Sequence, residues 1–251
     1  MTARVSPRVA VVTGAAGGLG NVLAAGLHSA GYRVALADRD EAAANAAATR
    51  LDPAGETAVA LALDVRDKAR WEAALAAVLA RWGAAHVLVN NAAMTAARPV
   101  MEISPDEFDA VMAVNVRGTF LGCQVFGAHF RDQRHGRIVN LASLAGQNGG
   151  TATGAHYAAS KGAIVTLTKV FARDLAADGV TVNAIAPGPL DTPMVHQTVP
   201  PERMTGLRAN IPVGDIGDPR FIATLTVQLA SPEAAFATGA TWDVNGGLYM
   251  R

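Results

Sequence analysis

Val9-Ala10-Val11-Val12-Thr13-Gly14-Ala15-Ala16-Gly17-Gly18-Leu19-Gly20 is the stretch that decides the fold. Val9 to Val12 is short, apolar and rich in β-branched residues, which predicts a buried strand. Glycines follow directly, and an Ala- and Leu-rich run to about Ala30 predicts a helix. In the order strand, glycine turn, helix, such glycines point to a bound dinucleotide. Gly14 allows the tight turn, Gly18 lets the backbone approach a pyrophosphate, and Gly20 permits close packing of helix on sheet. The helix N-terminus offers free N–H groups and the positive end of its dipole to phosphates. The spacing G-x-x-x-G-x-G differs by one residue from the commoner fingerprint, and a purely structural turn is the alternative reading.

Working outward, Arg33 to Asp38 predicts a second strand that ends in a carboxylate. Asp38 follows the glycines by close to the ~20 residues expected of an acid that accepts hydrogen bonds from an adenosine ribose. A carboxylate there repels a 2′-phosphate and favours NAD over NADP. Arg39, next to it, is able to meet that phosphate and keeps NADP open. Further strands are expected at Thr57–Leu63, before Asp64 and Val65, at His86–Val89, before Asn90-Asn91-Ala92, and at Arg137–Leu141, before Ser143. The last two are expected at Val180–Ile185, before Pro187-Gly188-Pro189-Leu190-Asp191-Thr192, and at Thr241–Val244. Helices alternate with them: Glu41–Leu51, a run through Trp71 to Trp82 capped by Asp67, one opened by Ser104-Pro105-Asp106-Glu107, one opened by Asp218-Pro219 and ending near Leu229, and others ending near Phe130 and Asp178. Gly146 to Gly154 reads as a flexible loop, and residues from about 190 to 212 as a weakly periodic flap over a pocket. The alternation predicts a single α/β domain over residues 1–251, a doubly wound parallel sheet of the Rossmann type with helices on both faces.

Bulk composition excludes several other classes. Formal net charge is zero with no block of like charge, which argues against nucleic acid or an anionic membrane as partner. Neither a signal-like N-terminus nor an apolar run near the ~20 residues of a membrane span is present, so a cytoplasmic protein is expected. Cys123 is the only cysteine and sits in an apolar stretch, which suits the core better than nucleophilic work. No cluster of metal ligands stands out.

Tyr157 and Lys161 stand four residues apart in an Ala-rich helical run, so both side chains leave one face. An ammonium beside a phenol is expected to lower the phenol's pKa and ready it for proton transfer near neutral pH. His156 adjoins Tyr157 and points elsewhere on a helix, so it reads as loop-end structure. Asn115 lies in an apolar stretch and needs partners for its amide.

Taken in order, these residues resemble the short-chain dehydrogenases/reductases from about Val9 to Gly247. The motifs that carry the likeness are Thr13-Gly14-x-x-x-Gly18-x-Gly20, Asn90-Asn91-Ala92, Asn115, Ser143 with Tyr157 and Lys161, and Pro187-Gly188 with Thr192. The resemblance implies hydride exchange between a nicotinamide and a secondary alcohol or ketone. It implies Tyr157 as general acid/base, Lys161 holding the nicotinamide ribose, Ser143 bonding the substrate oxygen, and Asn115 holding a water in a proton relay. It further implies cofactor contacts from Gly14, Gly18, Leu19, Gly20, Asp38, Arg39, Asp64, Val65, Asn91 and Ala92, with the nicotinamide carboxamide gripped by Pro187, Gly188, Leu190 and Thr192. A homotetramer, packed through the long helices around Asn115–Phe130 and Tyr157–Asp178, also comes with the likeness. Two positions depart from the family pattern: Ala93 stands where glycine is usual, and Asn245 where aspartate is usual.

The expected substrate is a medium-sized alcohol or ketone bound among residues 94–101, 144–156 and 194–212, with NAD as cofactor. The rival is a 3-oxoacyl-(acyl-carrier-protein) or 3-oxoacyl-CoA reductase using NADPH. Arg134-His135-Gly136-Arg137 and the ending Asn245 to Met250 suggest it, and Arg134 and Arg173 fall where such reductases place docking arginines. A cofactor-binding protein without catalysis is the third reading, and the presence of both Tyr157 and Lys161 opposes it.

Overall fold

The computed structural model describes residues 7–150 and 153–251, and all seven expected strands are in it. In chain order they are β1 (Val9–Thr13), β2 (Arg33–Asp38), β3 (Ala58–Ala62), β4 (Val87–Asn90), β5 (Gly136–Leu141), β6 (Val180–Pro187) and β7 (Thr241–Val244). They form one sheet in the order β3-β2-β1-β4-β5-β6-β7, and every pairing is parallel. The order reverses between β1 and β4, and the crevice at such a switch point is where open parallel sheets bind ligands.

The ten α-helices of the described residues are α1 (Gly18–Ser29), α2 (Glu41–Leu51), α3 (Lys68–Trp82), α4 (Pro105–Met112), α5 (Gly118–Asp132), α6 (Ala145–Asn148), α7 (Ala155–Leu175), α8 (Pro193–Thr198), α9 (Pro201–Ala209) and α10 (Pro219–Ala230). Strand residues alternate between two cores. Ala10, Val12, Val34, Leu36, Val87 and Val89 pack with α1, α2 and α10. Val9, Val11, Ala35, Ala37 and Leu88 pack with α3, α5 and α7 on the other face. Period-two alternation with both faces apolar is the mark of a parallel sheet covered on both sides. Trp71 and Phe126 are fully buried and meet edge to face at 5.9 Å, which locks α3 against α5.

Local chemistry explains where the helices start. Asp67 accepts the N–H of Ala69 (2.8 Å), Ser104 that of Glu107 (3.2 Å) and Asp218 that of Arg220 (2.8 Å), as their N-cap positions predict. Three segments differ from the sequence reading. Part of the loop expected at Gly146–Gly154 is the single turn α6, while Thr151 and Ala152 lie outside the described residues. The flap read as weakly periodic carries α8 and α9, each with a proline in its first turn, where the fixed φ and missing N–H favour helix initiation. The apolar run from α4 into α5 is interrupted by a π-helical segment, Ala113–Arg117, and Asn115 sits inside it. Such bulges gather at functional sites.

Candidate active site

A cleft of about 740 Å³ opens at the carboxyl ends of the strands, and it is lined in part by Gly14, Gly18, Leu19, Gly20, Asp38 and Arg39. Asp64, Val65, Asn91, Ala92, Tyr157, Lys161, Pro187, Gly188, Leu190 and Thr192 complete the residues expected there, and Ser143 joins them. Asn115 alone of the expected residues stands behind the wall. The structure adds Arg66 and Val114 to the lining, which also includes Met94, Thr95 and Val195 from the stretches expected around the substrate. Reading strand ends alone could not find Arg66 and Val114, because they come from a turn and a π-helical segment whose approach only the folded chain sets. Ala93 lies in the wall as well.

The glycine turn fits a phosphate group. Gly14 and Gly18 hold φ of +64° and +53°, a region costly for residues with a Cβ. A Cβ at Gly20 would collide with the Gly14 carbonyl, whereas one at Gly18 would project into open space. Whereas α2, α3, α4 and α10 are capped by acidic or hydroxyl side chains, α1 begins at Gly17 with no side-chain cap and no acid in its first turn. Its end therefore keeps its donors and partial positive charge for an anion. Asn91 braces the turn from behind, donating through Nδ2 to Thr13 O (2.9 Å) and Gly14 O (3.2 Å).

Asp38 is held in place by the N–H groups of Ala16 (3.0 Å) and Asp40 (3.1 Å), and each carboxylate oxygen keeps a further lone pair for a hydroxyl. Asp64 is clamped by Arg66 through Nε (2.9 Å) and Nη2 (2.6 Å), which holds its carboxyl at about 2. These residues suit the adenosine end of a nicotinamide dinucleotide.

At the other end of the cleft the acid–base group differs from the simple expectation. Burial pushes the Tyr157 phenol up, and the hydrogen bond from Ser143 pulls it partly back. Lys161 lies 5.5 Å from the centre of the Tyr157 ring and donates to Leu141 O (2.6 Å). It is itself buried, and desolvation brings it down to about 8. The lowered tyrosine expected from the four-residue spacing is thus absent in the protein alone. Removing both groups from water disfavours the charged form of each.

Asn115 is buried, and its side chain is bonded within the protein. Both its amide hydrogens are engaged, on Met94 O (3.0 Å) and Ser160 Oγ (2.9 Å), and Oδ1 accepts the Met94 N–H (2.7 Å). It ties the loop after β4 to α7. His156, expected to be loop-end structure, sits in the first turn of α7 and is fully buried beside Glu107. Arg134 stays at the surface and pairs with Asp178 (3.2 Å). Cys123 is core, as expected, and burial pushes its thiol up to about 12.

The family model described as Enoyl-(Acyl carrier protein) reductase (adh_short_C2) matches residues 14–249. The chain is 38% identical over 243 residues to 3-oxoacyl-[acyl-carrier-protein] reductase FabG of Vibrio cholerae, covering 97% of this chain and 98% of that one.

The chain belongs to the short-chain dehydrogenase/reductase family.

It is therefore an oxidoreductase that exchanges hydride between a nicotinamide cofactor and an alcohol or ketone carbon. The sorbitol dehydrogenase of Cereibacter sphaeroides is 36% identical to this family member over 98% of this chain and 99% of its own. Among solved structures, a 3-ketoacyl-(acyl-carrier-protein) reductase from Brucella melitensis complexed with NADH superimposes with a TM-score of 0.90 at 33% identity, covering 97% of this chain and 98% of that one. Among the described residues, no helix is long and apolar enough to cross a membrane.

Proposed function

We propose that this short-chain dehydrogenase/reductase interconverts a secondary alcohol and its ketone with NAD as the preferred cofactor, using Tyr157 for proton transfer. The observation that carries the reading is convergence: Ser143, Tyr157 and Lys161 line the same cleft as the glycine turn and Asp38. The nicotinamide, when bound, supplies or takes the hydride. On reduction, the Tyr157 phenol gives its proton to the carbonyl oxygen; on oxidation it takes the proton from the hydroxyl. Ser143 donates a hydrogen bond to that oxygen and stabilises the charge that develops there. Lys161 stabilises the phenolate once a proton has left, because an ammonium next to a phenolate favours it. Leu190 and Thr192 grip the carboxamide end, and the segment of α8 and α9 acts as the substrate flap. Asp38 favours a free ribose diol over a 2′-phosphate, and Arg39 is the residue that would weaken this preference. A homotetramer and a cytoplasmic location belong to the same reading.

Replacing Tyr157 by Phe tests it. Turnover should fall by about 10²–10⁴-fold, the usual range for a lost acid–base group, while NADH still binds. Retained turnover would remove Tyr157 from the chemistry, and much tighter binding of NADPH than NADH would reverse the cofactor half.

A second reading is favoured by the relatives named as 3-oxoacyl reductases, one of them solved with NADH. In it the substrate is a 3-oxoacyl thioester. Acetoacetyl-CoA and sorbitol, each assayed with both cofactors, separate the two readings.

A further inference from the structure

The peptide of Tyr157 is held at both ends. Its carbonyl accepts the Ser160 hydroxyl (2.7 Å), whose oxygen accepts the Asn115 amide (2.9 Å). Its N–H donates to Gly154 O (3.1 Å) and to Nδ1 of His156 (2.9 Å). A ring nitrogen that accepts carries no proton, so in the neutral imidazole the hydrogen is on Nε2. That nitrogen faces Glu107 Oε1 at 3.4 Å, and Glu107 also pairs with Arg98 Nε at 3.3 Å. Exposure falls along this chain of contacts, from 50% at Arg98 through 18% at Glu107 to 0% at His156.

Two further features make this more than an incidental pair. A Cβ at Gly154 would fall on the His156 ring and within 2.8 Å of Ala96 O, so the glycine makes room for the imidazole where two loops meet. Gly154 N–H also donates to Ala96 O (3.0 Å), in the loop that carries Met94 and Thr95 into the cleft. Glu107 and Asn115 lie on one continuous helical run, α4 and its π-helical extension, so one element supplies the support for both ends of the tyrosine peptide.

The geometry points to His156, held by Glu107 and Arg98, as a positioning residue that fixes the peptide of Tyr157 and so the seat of its phenol beside Ser143. Arg98 and Glu107 make this seat answer to the loop between β4 and α4, one wall of the cleft. The inference rests on Tyr157 being the proton-transfer group. An ordinary core histidine would stabilise the fold and leave the phenol's behaviour untouched.

The test uses His156→Leu, His156→Asn and Glu107→Ala in the full chain. Asparagine can still accept the Tyr157 N–H but cannot reach Glu107; leucine does neither. The first readout is ionisation of Tyr157 itself, taken as the ultraviolet difference between each protein and the same protein carrying Tyr157→Phe. His156→Leu should move that ionisation to higher pH, because the Ser143 hydrogen bond that opposes the effect of burial is loosened. Glu107→Ala should move it the same way, and His156→Asn should restore part of it. The second readout is reduction of acetoacetyl-CoA by NADH. The kcat should fall by roughly ten- to a hundredfold, the scale for misplacement by about an ångström, with NADH affinity unchanged. Combining Glu107→Ala with His156→Leu should cost no more than His156→Leu alone. Variants that lose stability while Tyr157 ionises as in the parent would overturn the proposal, and His156→Asn with Glu107→Ala decides it if the leucine protein does not fold. If the parent turns over neither acetoacetyl-CoA nor sorbitol, the substrate reading fails, and the ionisation of Tyr157 still decides the role of His156.

Discussion

Lys161→Met is expected to stabilise the cofactor-free protein at neutral pH while abolishing turnover. Lys161 is buried, and desolvation lowers it from 10.5 to about 8. At about 1.4 kcal/mol per pH unit, keeping this ammonium charged at pH 7 costs the fold about 3 kcal/mol. Methionine removes that cost but leaves Leu141 O without its 2.6 Å donor. An orphaned buried carbonyl costs about 1–3 kcal/mol. The variant should therefore match or exceed the parent by up to about 2 kcal/mol at pH 7. The difference must then change with pH in one direction. Between pH 8 and pH 10.5 the unfolded lysine holds its proton and the folded one does not, so the parent gains stability as pH rises. By about pH 10 the variant should be the less stable protein. Equilibrium urea unfolding of both proteins, at equal concentration near pH 7 and near pH 10, measures the change. A difference that stays constant across that interval would refute the reasoning, because it would mean that Lys161 is not desolvated.

Other outcomes follow from the same structure. Gly18→Ala should cost about 1 kcal/mol of stability through its left-handed backbone. It should weaken NADH further by aiming a methyl group into the cleft, and calorimetry and fluorescence titration measure the two effects. Gly14→Ala adds a contact of 2.9 Å with Ala92 Cα and should disturb the turn itself, with a larger loss of thermal stability. Asp38→Ser should narrow the preference for NADH over NADPH, read as the ratio of dissociation constants. Acid should destabilise the fold before the carboxylates titrate. Burial lowers His86, His129 and His135, the last to about 4, so neutral imidazoles are kept folded while the unfolded chain takes up protons below about 6.5. Stability should fall as pH drops from 6.5 toward 4, and His135→Gln should blunt that fall in unfolding experiments.

How far the sequence could be read depended on how local the responsible physics is. The apolar runs of β1, β2 and β4 announce strands because both faces of a parallel sheet are buried. Asp67, Ser104 and Asp218 announce helices because a cap acts on the next two or three residues. Lining residues at strand ends were legible for the same reason: once the sheet is parallel, Asp38, Asp64, Asn91 and Ser143 must share an edge. Arg66 and Val114 were not, since a turn and the π-helical segment bring them in. The π-helical segment left no signal, because one extra residue per turn scarcely alters an apolar pattern.

Order along the chain, the glycine turn and the four-residue spacing of Tyr157 and Lys161 follow from the sequence alone, because backbone conformation and helical periodicity are local. The state of that pair does not. Whether an ammonium lowers a neighbouring phenol or both are resisted by burial depends on how much water the packed helices exclude, and on Ser143 and Leu141, which arrive from the end of β5 and the turn beyond it. In the same way, a helix makes His156 turn away from Tyr157's face, but only tertiary packing decides that it turns toward Glu107, which lies in a different helix.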